Sequence, residues 1–133
     1  MTAVLHHVAL TVTDIDASVA WYSDLFGFKE LVREDHAGGN GGYGVVLGPE
    51  DWSMFIVLNQ HPTNAGEGFD PVRTGLDHVG FTAPDRETLD DWVARFEERG
   101  VTYSPVSDHD WGWSLNFRDP DDVQLQLVVF AQS

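Results

Sequence analysis

The stretch LHHVALTV (5–12) returns seventy-one positions later as LDHVGFTA (76–83). At that offset Leu5 matches Leu76, His7 matches His78, Val8 matches Val79, Asp14 matches Asp85 and Trp21 matches Trp92. Both copies alternate in a period of two, the pattern of a strand with two unlike faces. The same order of elements follows each copy, so the chain reads as one supersecondary unit used twice, over 4–60 and 75–131. Each half has one helix to cover its strands. One sheet face stays uncovered unless the two halves pair and curl around a shared interior.

The individual elements follow from periodicity and punctuation. TDIDASVAWYSDLFG offers Asp14 or Asp16 as N-cap, Ile15, Val19, Tyr22 and Phe26 at helical spacing, and Gly27 as the stop. FKELVRED, GYGVVLG and SMFIVLNQ read as three further strands. The loop HPTNAGEGFDPVRTG separates them from the second copy. There, PDRETLDDWVARFEERG is a helix with Pro84 near its start, Glu87 in its first turn and Gly100 as its stop. VTYSPVS, WGWSLNFRDPDD and VQLQLVVF supply three more strands, the last two joined by a turn at Asp119-Pro120-Asp121. The plan is βαβββ twice, within 133 residues that suit one domain.

Composition removes several function classes. There is no cysteine, which excludes disulfides, thiolate nucleophiles and Cys-based zinc sites. No run of about 18 apolar residues occurs to span a bilayer. The N-terminus lacks the charged and apolar regions of a signal peptide, so a cytoplasmic protein is expected. The net charge of −15 would repel a polyanion, so no nucleic-acid partner and no membrane partner are expected. A cationic ligand is compatible with it. The segment HAGGNGGYG does not open a helix and is no phosphate cradle; it reads as a flap over a cavity.

Strand parity sorts the repeated stretch into faces. His7, Ala9 and Thr11 share one face, and Val8, Leu10 and Val12 the other, which suits packing under a helix. The second copy puts His78, Gly80 and Thr82 together, with Val79 and Phe81 opposite. Two histidines facing one cavity from equivalent strands suit a borderline metal through neutral imidazole nitrogen. The other reading is a pair of inherited, hydrogen-bonded histidines.

HHVALTVTDIDASVAWYSDLFGF, GLDHVGFTAPDRETLDDWVARFEERGV and FRDPDDVQLQLV together resemble the vicinal oxygen chelate superfamily, which includes glyoxalase I, extradiol dioxygenases, and fosfomycin- and bleomycin-resistance proteins. The resemblance covers essentially the whole chain. It implies an α+β fold of two βαβββ modules forming a cupped mixed β-sheet around a cavity, helices on the outer face. It also implies a homodimer and a small-molecule ligand. Active members hold a divalent metal, here Zn, Ni, Mn or Fe, to which the substrate chelates; a metal-free protein is the alternative. His7 and His78 match the family's two histidine positions. Carboxylates usually follow on the fourth and eighth strands, and here the sequence departs from the pattern. Gln126 stands at the eighth-strand position. The fourth-strand position falls on Val57, or on Phe55 if the turn is counted differently. The expected metal set is therefore His7, His78 and Gln126, a two-His-one-carboxylate triad with its charge removed.

Around that set the candidate ligand-pocket residues are Trp52, Phe55, Val57, Asn59, His61, Trp111 and Trp113. Asn59 and His61 lie further along the Val57 face, with His61 able to swing in as a substitute ligand. Trp52, Trp111 and Trp113 offer flat apolar surfaces with an N–H handle. Two functions stay open. One is a metal-assisted enzyme of lyase, isomerase or dioxygenase type on a small oxygenated molecule, though not ordinary glyoxalase I, because no carboxylate base is left. The other is metal-free sequestration of a small, cationic aromatic, antibiotic-like molecule. No catalytic residue is assigned.

Overall fold

A computed structural model describes residues 1–35 and 42–131. In chain order it contains β1 (Val8–Thr11), α1 (Ile15–Phe26), β2 (Lys29–Asp35), β3 (Tyr43–Gly48) and β4 (Ile56–Gln60). Then follow β5 (Val79–Thr82), α2 (Arg86–Arg99), β6 (Ser107–His109), β7 (Gly112–Arg118) and β8 (Gln124–Phe130). The fold is α+β, and the chain divides into two compact units, Met1–Glu67 and Gly68–Ser133. Residues 36–41 of the glycine-rich segment, where a flap is expected, lie outside the described residues.

Each unit is an open four-stranded mixed sheet with one helix, and the strand order is the same in both: β1-β4-β3-β2 and β5-β8-β7-β6. The first strand of each unit pairs in parallel with the last, and the other ladders are antiparallel. That shared topology is what duplication predicts.

The first unit's core follows from strand alternation. Leu10 and Val12 bury the same face as Val45, Leu47, Ile56 and Leu58, and α1 packs against β2, β3 and β4. Asp14 caps α1 by accepting from the Ala17 N–H, and Gly27 closes it in the left-handed region at φ 72°. The helix buries Ile15, Ser18, Tyr22 and Leu25. Val19 and Phe26, expected on that face, are only partly buried. The buried stripe runs through Ile15, Ser18, Tyr22 and Leu25 at steps of three and four residues, which leaves Val19 and Phe26 on its flank. Phe26 instead stacks on Tyr22 and Phe28, at 5.8 and 5.0 Å between ring centres.

The second unit repeats the scheme. Leu115, Phe117, Leu125, Leu127 and Val129 are buried, and α2 contributes Leu89 and Phe96. The Phe96 ring lies 4.7 Å from Phe117 and 5.6 Å from Tyr103. Asp85 caps the helix at the Thr88 N–H, so Pro84 precedes the cap. The strand expected over VTYSPVS is reduced to a single bridge, Tyr103 to Phe117, before the short β6. Pro105 has no N–H to donate and breaks the ladder there. Among the described residues no helix is long and apolar enough to cross a membrane.

Candidate functional site

The ladders assign the expected site residues to faces and registers. In the first sheet Ala9 pairs with Val57 and Thr11 with Asn59. In the second, Gly80 pairs with Gln126 and Thr82 with Val128. Ala9 and Gly80 are repeat partners, so Val57 is the structural equivalent of Gln126. Phe55 sits two residues earlier, level with Gln124 of the second unit. The first of the two countings of the fourth strand is therefore the right one.

His7 and His78 each stand immediately before their strands, and both are exposed. The His7 ring stacks on Phe55, 5.3 Å between centres and 20° from parallel. Its Nδ1 lies 2.8 Å from Nδ1 of His6. With Nδ1 of His7 donating and Nδ1 of His6 accepting, the lone pair on Nε2 of His7 is left for a ligand. His78 is held similarly: Nδ1 lies 2.7 Å from Oδ1 of Asp77. A carboxylate on Nδ1 fixes the tautomer and presents the Nε2 lone pair.

His6 and Asp77 were not singled out from the sequence, yet both were legible in it. They occupy the same place, seventy-one residues apart, directly before each strand-start histidine. The signal was the repeat itself, extended one residue towards the N-terminus.

Gln126 lies on the face of the second sheet opposite the buried Leu125 and Leu127. A Cβ on Gly80 would sit 3.8 Å from Oε1 of Gln126, so the missing side chain leaves room beside that oxygen. Val57 offers no donor. Asn59 lies beside Gly44, its Oδ1 2.6 Å from where a Cβ there would stand. His61 follows β4, partly buried, and its carbonyl accepts from Asn64 N–H at 3.1 Å.

The aromatic candidates separate. Trp52 does not open a strand; it sits in a turn at φ 60°, its N–H donating to the Pro49 carbonyl. Its ring meets the edge of Phe55 at 5.6 Å, and His6 meets the same ring at 5.0 Å. Phe55 thus gathers His6, His7 and Trp52. Trp111 lies flat on His109, 4.5 Å between centres and 5° from parallel, and Phe130 is 5.5 Å away. Trp113 points the other way. It shares the parity of the buried Leu115 and Phe117, and the Arg86 guanidinium of α2 sits 5.6 Å from its ring centre. It packs on the helix side of the sheet, opposite Gln126, because parity along β7 leaves it no other face. Its assignment to the ligand pocket is corrected accordingly.

Each unit's candidate donors are neutral: an imidazole nitrogen of His7 in the first, and an imidazole nitrogen of His78 with the amide oxygen of Gln126 in the second. Among the described residues no group of three or more His, Asp or Glu side chains is gathered to hold a metal. Neutral donors of this kind favour nitrogen-seeking metals over the hard cations.

Comparison with known proteins agrees with the strand orders. Residues 4–127 match the family described as the glyoxalase/bleomycin resistance protein/dioxygenase superfamily. A crystal structure of a glyoxylase/bleomycin resistance protein/dioxygenase domain from Frankia sp. EAN1pec is 30% identical, with a TM-score of 0.87 over 98% of this chain and 100% of that one. The uncharacterized protein YwkD of Bacillus subtilis (strain 168) is 30% identical over 92% of this chain and 94% of its own. Biphenyl-2,3-diol 1,2-dioxygenase 3 of Rhodococcus globerulus is 28% identical over 98% of this chain and 66% of its own.

Proposed function

The chain belongs to the glyoxalase/bleomycin resistance protein/dioxygenase superfamily, and from that membership we propose that it is a metal-assisted enzyme acting on a small oxygenated molecule. His7, His78 and Gln126 would hold one divalent ion, and the ion would act as a Lewis acid on the substrate's oxygens. One observation carries the reading. Each strand-start histidine has Nδ1 engaged by the residue before it, His6 in one unit and Asp77 in the other. Inert histidines have no need of a repeated arrangement that leaves Nε2 available.

The chain's own residues set the rest. Phe55 orients the His7 ring by stacking, and Asp77 orients His78. Phe55 and Trp52 give an apolar wall next to His7, suited to the flat part of a substrate. Neither Gln126 nor Val57 can take up a proton at neutral pH, so ordinary glyoxalase I chemistry is not the reaction proposed. The assembly proposed is a homodimer.

The test is metal content of protein purified without a His tag, followed by titration with zinc, nickel, manganese and iron(II). Binding of at least one of them at micromolar concentration is expected, lost in both His7→Ala and His78→Ala. Absence of binding by all four overturns the reading. Sedimentation as a stable monomer overturns the dimer.

A further inference from the structure

A second polar feature lies in the second unit, on the same sheet face as Gln126. Asn116 pairs with Gln126 and Arg118 with Gln124, so the four side chains alternate on one side of β7 and β8. The segment Thr102–Ser104 runs along β7, with Ser104 N–H donating to the Asn116 carbonyl and Arg118 N–H to that of Thr102. Between them is a cleft of about 280 Å³, lined by Thr102, Ser104, Asn116, Arg118 and Gln124 among others.

Two groups in this cleft lack the partners that their chemistry calls for. Oδ1 of Asn116 is buried without a hydrogen-bond partner, while the Asn116 N–H is satisfied by the Ser104 hydroxyl at 3.0 Å. Leaving a buried acceptor unpaired costs free energy, and native proteins seldom tolerate it without a use. Arg118 is the other. Its Nη1 donates to the Asp122 carbonyl at 3.0 Å, and among the described residues no carboxylate pairs with it. Arg33, Arg86 and Arg99, by contrast, each sit against an acid. In a chain with 22 acidic and 7 basic residues, a guanidinium facing no carboxylate is unexpected. The buried neighbour Asp119 is occupied elsewhere: its Oδ1 accepts from the N–H groups of Asp121 and Val123.

We propose that this cleft binds the acidic end of the substrate, and that the substrate is a small hydroxylated oxyanion. The guanidinium fork of Arg118 takes the oxyanion, carboxylate or phosphate, for which its planar donors are matched. Oδ1 of Asn116 accepts from a substrate hydroxyl roughly 7 Å along the strand, two residues at about 3.4 Å each. Gln124 supplies a further amide beside the anion. The net charge of −15 does not oppose this, because acids farther away than about 8 Å are largely screened at physiological ionic strength. The inference rests on the enzyme reading above and names its substrate class.

The test is a titration of the protein with glycerate, glycerol 1-phosphate and glycerol, read by the amide resonances of Asn116, Arg118 and Gln124. Saturable shifts with one or both anions and none with glycerol are expected, and the tighter anion identifies the acid group. Arg118→Gln should weaken anion binding at least tenfold, and Arg118→Lys by less. Gln124→Glu, at a partly exposed position, should weaken it as well by setting a carboxylate beside the guanidinium. Anions that bind no better than glycerol overturn the proposal, as does unchanged affinity in Arg118→Gln and Gln124→Glu. Metal content is measured separately, so a protein that binds anions but no metal overturns only the earlier reading.

Discussion

Gln126 and Val57 occupy one register position in two copies of the same sheet, and neither carries a charge. Binding of a divalent cation gains much from ligand charge, so under the proposed metal reading the neutral Gln126 would limit how strongly an ion is held. Gln126→Glu should therefore tighten metal binding at least tenfold, about 1.4 kcal/mol, and equal affinity by titration calorimetry would count against Gln126 as a ligand. Most of these residues were legible in the sequence. Parity put His7, His78 and Gln126 on their faces, and the repeat offset paired the histidines. Asn116 and Arg118 were not legible as a site, because a buried unpaired acceptor and an unpaired guanidinium exist only once neighbours are placed around them. Trp113 is the converse case: its parity with Leu115 and Phe117 puts it on the helix side, and an aromatic ring suited to a ligand does not override parity.

The helices and turns carry their own consequences. Asp85 caps α2, and the Thr88 N–H, followed by the Thr88 hydroxyl, holds its carboxyl below the ordinary value of 3.8. A depressed carboxylate contributes stability above its unfolded value, and that contribution is withdrawn as pH falls through the folded one. Asp85→Asn keeps an acceptor at the cap and removes the charge that favours a helix N-terminus. The wild type should melt higher at neutral pH, with the gap closing below pH 3.8; a gap independent of pH would refute this. Gly112 makes a different demand at the start of β7. Its φ is 148°, and a Cβ there would lie 2.0 Å from the Val129 carbonyl oxygen, which is backbone and cannot swing aside. Gly112→Ala should cost about 3 kcal/mol, from backbone strain plus overpacking, measured by urea denaturation. The stops at Gly27 and Gly100 were readable in advance, and Asp14 as one of two candidate caps, because capping is local chemistry; Asp85 as the cap of α2 came with the structure. The sixth strand was not, since Pro105 leaves the neighbouring residues strand-like in type while removing the donor that a ladder needs.

At the scale of the whole chain, duplication and charge dominate. A net charge of −15 on 133 residues makes self-repulsion a standing cost of the compact state. Raising sodium chloride from low ionic strength to about 0.15 M shortens the screening length to about 8 Å, and the melting temperature should rise by a few degrees; a fall would show that surface ion pairs outweigh the repulsion. The sequence by itself determined the number of modules, the order of their elements, the helix stops and the faces of the strands. These depend on local periodicity and on a repeat visible without any structure. Tertiary structure alone decided which fourth-strand residue is level with Gln126, which helix residues meet the sheet, and which polar groups share a cleft. Those facts depend on register and packing between segments distant in sequence, where moving a ladder by one residue turns every side chain to the other face.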